Sequence, residues 1–195
     1  EVSMIIVTRA GRSGTSMLMQ TLILLGVPVA GYPFHDDFPV VSLNPKGYYD
    51  LPLERLRQGL GEEMKGLAIK VFGQWLHSTV EGNHVRKIIV CKRRDTKAQD
   101  KSLLNCFELE KQIPSASKIR ERVLKNEVDL TILAVQRKKN YREIRKFLKR
   151  NLNIPSITMY YEDVLKDPRQ EIQNLIDFLD IEDDKLEKAI ENIEA

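Results

Sequence analysis

Cysteine, histidine and aromatic residues are scarce in this sequence and long apolar runs are missing, and each shortage removes a class of protein. The two cysteines, Cys91 and Cys106, lie in a strand-like and a helix-like run. With neither metal-ligand spacing nor a disulfide framework, they are expected to be reduced core thiols. No stretch approaches the roughly 18 apolar residues of a membrane span, and no signal-peptide pattern opens the chain. The chain as it stands is therefore expected to be soluble, its location cytoplasmic or open. Glu1 rather than Met stands first, which is compatible with an excised domain whose upstream anchor or targeting segment has been removed. Aromatic residues make up 7% of the chain, and few interleave its basic run, which argues against a nucleic-acid module. Repeats and low-complexity tracts are also missing.

What is present is one domain's worth of chain, 195 residues with 42% hydrophobic composition, so a single domain over 1–195 is expected. The net charge of +3 is mild but unevenly spread. Basic residues crowd between Arg86 and Arg150, whereas Glu162 to Ala195 is predominantly acidic. That asymmetry suits a protein that gathers a small anionic ligand on one side, although a solvated helix face is the commoner reading of RKKNYREIRKFLKR.

Four short β-like runs punctuate the chain: Ser3 to Thr8, Leu67 to Phe72, Lys87 to Cys91 and Ser156 to Tyr161. Helical spacing separates them at Thr15 to Gly26, Leu53 to Leu60, Lys97 to Lys111, Ser117 to Leu124, Leu130 to Asn151 and Pro168 to Leu179, and a last short helix is expected over Asp183 to Glu194. Strands alternating with helices predict an α/β protein, a three-layer doubly wound parallel sheet with ligands beyond the carboxyl ends of its strands. Val27 to Asp50 is longer than a connection requires, and loops of that length inside compact domains are usually functional or disordered.

The first strand runs into GRSGTS, residues 11 to 16, and then into a helix. Gly11 and Gly14 let backbone N–H groups converge, and the helix adds its positive end, so the turn is an anion cradle. Arg12 and the hydroxyls of Ser13, Thr15 and Ser16 add donors suited to phosphate or sulfate. A nucleotide-triphosphatase loop needs G-x-x-x-x-G-K-[ST]; here Arg9 occupies the first glycine position and Thr15 stands where the lysine belongs. Lys92, Arg93 and Arg94 follow KIIVC where a magnesium-binding acid would be expected, so no metal is predicted. At this second strand end Asp95 or Thr96 can cap the next helix, and Ser102 lies about two turns into it, where it and Arg94 could share a second anion.

These residues resemble the P-loop sulfotransferases, which move a sulfuryl group from 3′-phosphoadenosine 5′-phosphosulfate (PAPS) to a hydroxyl or amine. RSGTS at Arg12 to Ser16, Arg94 eight residues before Ser102, the YED of Tyr161 to Asp163 and LNPKGYYD at Leu43 to Asp50 carry the likeness, which extends from Met4 to Leu179. The last segment is closest to bacterial-type members. The resemblance implies a P-loop NTPase-like sulfotransferase fold, PAPS as donor and 3′-phosphoadenosine 5′-phosphate (PAP) as product. It implies that Arg12, Ser13, Gly14, Thr15 and Ser16 hold the 5′-phosphosulfate, Arg94 and Ser102 the 3′-phosphate, and that Tyr161 lies near the adenine. Lys70 would stand with Arg12 at the transferring group. Met17 replaces the aromatic residue that follows the family's turn. Val71 and Phe72 follow Lys70 where many members have Thr and the basic His, so the base passes to a loop carboxylate, Asp36, Asp37 or Asp50, with His35 as a fourth candidate. The acceptor, a small molecule or carbohydrate, would be selected by Gly31 to Tyr49 and the helices near Ser117 to Arg150. A small P-loop kinase and a non-catalytic nucleotide-binding relative are the alternatives.

Overall fold

Met4–Arg9, six consecutive buried residues, form β1, and the computed structural model places this strand inside a four-stranded sheet. It describes residues 3–31, 47, 49–51, 60, 62–80, 84–110 and 129–194. The elements that follow β1 are α1 (Thr15–Leu24), β2 (Ala68–Phe72), α2 (Leu76–Val80), β3 (Val85–Lys92), α3 (Thr96–Glu110), α4 (Leu130–Arg150), β4 (Ser156–Tyr160), α5 (Tyr161–Lys166), α6 (Pro168–Leu179) and α7 (Leu186–Glu194). The helices expected at Leu53 to Leu60 and Ser117 to Leu124 lie outside the described residues, Leu60 apart.

All strand pairs are parallel, in the order β2-β1-β3-β4. Strand residues alternate between two cores, as a period of two requires. Ile5 and Val7 of β1, Ala68 of β2 and Ile89 and Cys91 of β3 pack against α1, α6 and α7. Met4, Ile6, Ile69, Val71, Ile88 and Val90 pack against Leu76 and Val80 of α2 and Ile144 and Phe147 of α4. The sheet is thus a middle layer with helices on both faces, which is why its central strands read as continuous apolar runs.

Several boundaries differ from the sequence reading by one to three residues. β3 begins two residues early at Val85, where Met4 pairs with Val85 across a register shift. Tyr161 belongs to a helix rather than to β4, and a short helix at Leu76–Val80 was not expected. The first helix stops at Leu24 rather than Gly26, because Gly26 at φ 85° turns the chain while its N–H bonds Ile23 O and the Val27 N–H bonds Leu22 O. That pair of bonds is a Schellman ending. Asp95, Asp129 and Asp167 cap α3, α4 and α6 by accepting from amides two or three residues on.

Consecutive strands β1 and β2 lie on one side, and β3 leads out to β4 on the other. The direction in which strands are added to the sheet reverses between β1 and β3, and this switch point opens a crevice at their carboxyl ends. GRSGTS follows one of those ends and KRRD the other.

Candidate active site

The turn after β1 owes its shape to backbone conformations that L side chains rarely adopt. Gly11, Arg12 and Gly14 have φ of 76°, 47° and 84°. Gly14 is the N-cap of α1 and offers no capping side chain; the first turn of the helix contains no acid. The leading amides of α1 therefore keep their capacity to bind an anion at the positive end of the helix. Ser13 is 2% exposed, and its Oγ has no hydrogen-bond partner among the described residues. A buried hydroxyl of that kind is costly unless something accepts from it or donates to it, so the cradle fits an oxyanion. Tyr161 closes one wall: a Cβ on Gly14 would come within 2.7 Å of its ring.

Beside the cradle lies a buried charge cluster. Lys70 is the residue of β2 that pairs with Val7 of β1, and the alternation turns it into the α1 layer. Its side chain is fully buried, with Nζ 3.4 Å from Ser16 Oγ and 3.1 Å from Asp50 Oδ2. Arg9, two residues beyond Val7, donates to Asp50 Oδ1 at 2.5 Å and to Thr15 Oγ1 at 3.3 Å, and lies 4.1 Å over the Phe72 ring. Asp50 thus joins two cations from adjacent strands. Burial, reinforced by the neighbouring Arg9 charge and opposed by Asp50, pulls the Lys70 ammonium down to about 7. Burial also pushes the Cys91 thiol up to about 12.

At the end of β3 the YED segment folds back on the basic run. Glu162 accepts from the backbone N–H groups of Arg94 and Asp95 at 3.0 and 3.1 Å. Burial would raise this carboxyl, but those amides outweigh it and hold it below its ordinary value. Asp163 is likewise held low by the Arg94 guanidinium, which donates to it and stacks 4.0 Å over Tyr160. Ser102 on α3 accepts from Arg12 Nε at 3.0 Å, and Gln99 Nε2 donates to the Gly11 carbonyl. A bidentate pair, Arg137 with the buried Asp100, ties α3 to α4.

The structure therefore gathers Arg12, Ser13, Gly14, Thr15, Ser16, Lys70 and Asp50 into one site, with Tyr161 on its wall. Arg94 and Ser102 stand at the same crevice but contact Asp163 and Arg12, respectively, rather than each other. His35, Asp36 and Asp37 lie outside the described residues. Arg9 was noticed in the sequence only as a departure from a nucleotide loop. Its inward phase, sharing Ile5 and Val7 parity, was the available signal for a site residue. Glu162 entered the sequence reading as part of the YED likeness, and the structure gives it the role of an amide acceptor.

A parallel sheet between two helix layers, with a glycine turn at its switch point, defines an α/β protein of P-loop-like fold. The chain belongs to the sulfotransferase domain family, whose model matches residues 76–194, more than half of its length. The match takes in Arg94, Ser102 and Tyr161 but begins after the phosphate turn and Lys70, so the two halves of the site rest on separate grounds. No curated protein matches the chain. Among the described residues no helix is long and apolar enough to cross a membrane, and no group of three or more His, Cys, Asp or Glu is placed to hold a metal.

Proposed function

We propose that this chain transfers a sulfuryl group from PAPS to a hydroxyl or amine of a small-molecule or carbohydrate acceptor, without a metal. The observation that carries the reading is the buried Lys70 ammonium beside Ser16 at the start of α1, on the strand next to the phosphate turn. It supplies from β2 a lysine, which the turn itself lacks, to stand with Arg12. PAPS, when bound, would supply an activated sulfuryl group on a phosphate leaving group. Developing negative charge in such a transfer is met best by preorganised donors in a water-poor site. Arg12, Lys70, Ser13 Oγ and the amides of residues 13 to 16 fill that role here, with Thr15 and Ser16 hydroxyls beside them. Asp50 fixes Lys70 and is the loop carboxylate that the described residues bring to this site, so we assign it the acceptor's proton. Arg94 and Ser102 are assigned to the 3′-phosphate and Tyr161 to the adenine. Binding there calls for Arg94 to share or exchange its bond to Asp163.

Titration calorimetry with PAP, adenosine 5′-phosphate and Mg-ATP tests the nucleotide assignment, and radiolabelled sulfuryl transfer to a panel of hydroxyl and amine acceptors tests the reaction. Binding of PAP that weakens in Arg94→Ala, together with transfer lost in Lys70→Ala, supports the reading. A response to Mg-ATP alone would replace it with a small kinase, and PAP binding with no transfer to any acceptor would leave a non-catalytic relative. Asp50→Asn should abolish turnover while Asp36→Ala and Asp37→Ala retain it; the reverse pattern moves the base.

A further inference from the structure

The outer face of α4 is not used by this site, yet it concentrates charge of one sign. Glu143 is the only acid of the helix and already pairs with Arg142 and Lys146. Lys138, Lys139, Arg145, Lys149 and Arg150 are exposed and have no carboxylate partner among the described residues. At about 100° per residue these side chains fall within an arc of about 140°, a continuous stripe over more than three turns. Apolar side chains share that surface. Val135, 62% exposed, points along the middle of the arc, and Ile132, 46% exposed, lies at its edge. Leu152, just past the C-cap, is 85% exposed. The two aromatic residues of α4 are turned inward: Phe147 is buried in the core and Tyr141 packs beside it with its hydroxyl toward the Cys91 carbonyl.

The opposite side of the molecule has the opposite sign. α6 and α7 cover the other face of the sheet, and between Asp177 and Glu191 exposed carboxylates outnumber exposed lysines. The charges are therefore separated across the sheet, and an extended negative surface would orient the protein with α4 against it. Stripes of lysine and arginine interspersed with exposed aliphatic side chains match an anionic bilayer, where the cations meet headgroups and the aliphatic tips enter the interface. Single-stranded nucleic acid would call for exposed aromatic platforms, which this face lacks. We propose that the α4 face docks the protein on anionic phospholipid surfaces, with the switch-point crevice at the edge of the sheet left accessible.

Sedimentation with vesicles of phosphatidylcholine alone and of phosphatidylcholine mixed with phosphatidylserine tests this. The protein should bind the anionic vesicles, not the neutral ones, and lose binding as salt shortens the screening length. Each cation near such a surface is worth about fivefold in affinity. Replacing Lys138, Lys139, Arg145 and Lys149 together by Gln, a comparable helix former, should weaken binding at least tenfold without changing the melting temperature. Val135→Ser should weaken vesicle binding and leave retention on a heparin column unchanged. Equal binding to both vesicle types, no binding to either, or undiminished binding by the four-glutamine variant would overturn the proposal. Tighter binding to single-stranded RNA than to anionic vesicles at the same salt would also overturn it.

Discussion

Replacing Lys70 by Met should stabilise the protein while removing its transfer activity. The lysine side chain is fully buried, and its ammonium is drawn from the ordinary lysine value of 10.5 to about 7. A folded-state value below the unfolded one means that the unfolded chain binds more protons between those limits, so stability rises with pH across that window. The penalty is complete below pH 7 and vanishes above about 10.5. At pH 7 it amounts to about 4 kcal/mol, and at pH 9 to about 2 kcal/mol, as order-of-magnitude figures. Met fills similar volume without charge, and Asp50 keeps its bond to Arg9, so no buried anion is orphaned. Urea denaturation of both proteins at the two pH values should show the variant more stable at pH 7, with the gap narrowing by about 2 kcal/mol at pH 9. A variant less stable than the parent at pH 7, or a gap that does not narrow, would refute the reasoning.

Three further outcomes are expected. Gly14→Ala should lower stability by about 1–3 kcal/mol and abolish PAP binding, since the new Cβ meets the Tyr161 ring at 2.7 Å on backbone with φ of 84°; thermal melts with and without PAP read both effects. Asp163→Asn should tighten PAP severalfold and leave adenosine 5′-phosphate unchanged, because it releases Arg94 from a competing carboxylate; calorimetry compares the two ligands. Arg137→Ala should cost about 3–5 kcal/mol by leaving the 6%-exposed Asp100 without its partner, and a double replacement of Arg137 and Asp100 by Leu should recover most of it in chemical denaturation.

The fold was legible because its cues are local. Short apolar, β-like runs marked the four strands found among the described residues, and Asp95 and Pro168 marked helix starts within a residue of where they occur. The turn between β1 and α1 was legible for the same reason, since glycines and hydroxyls contiguous in sequence form it. Pairings distant in sequence were not. That Asp50 meets Arg9 and Lys70 depends on two strands lying side by side, and nothing in the spacing of TRAGR, YYD and AIK states it. The expected sharing of one anion by Arg94 and Ser102 came from their helical spacing; that Arg94 contacts Asp163 and Ser102 contacts Arg12 was not readable from it. Competition among charges is settled in three dimensions, and a one-dimensional reading has no measure of it.

In an ordinary nucleotide loop a lysine travels with the glycines, at the start of the helix. Here it is delivered by the neighbouring strand, and the hydrogen-bonded register that sets Val7 opposite Lys70 acts as the ruler. A shift of a single residue in β2 would swing Lys70 into the opposite core and bring Ile69 or Val71 to the phosphate turn. The sheet would still close and the apolar count would hardly change. Tolerance to insertion should therefore be inverted relative to length: many residues added to a surface loop leave the charge where it is, whereas one residue added within β2 disarms the site.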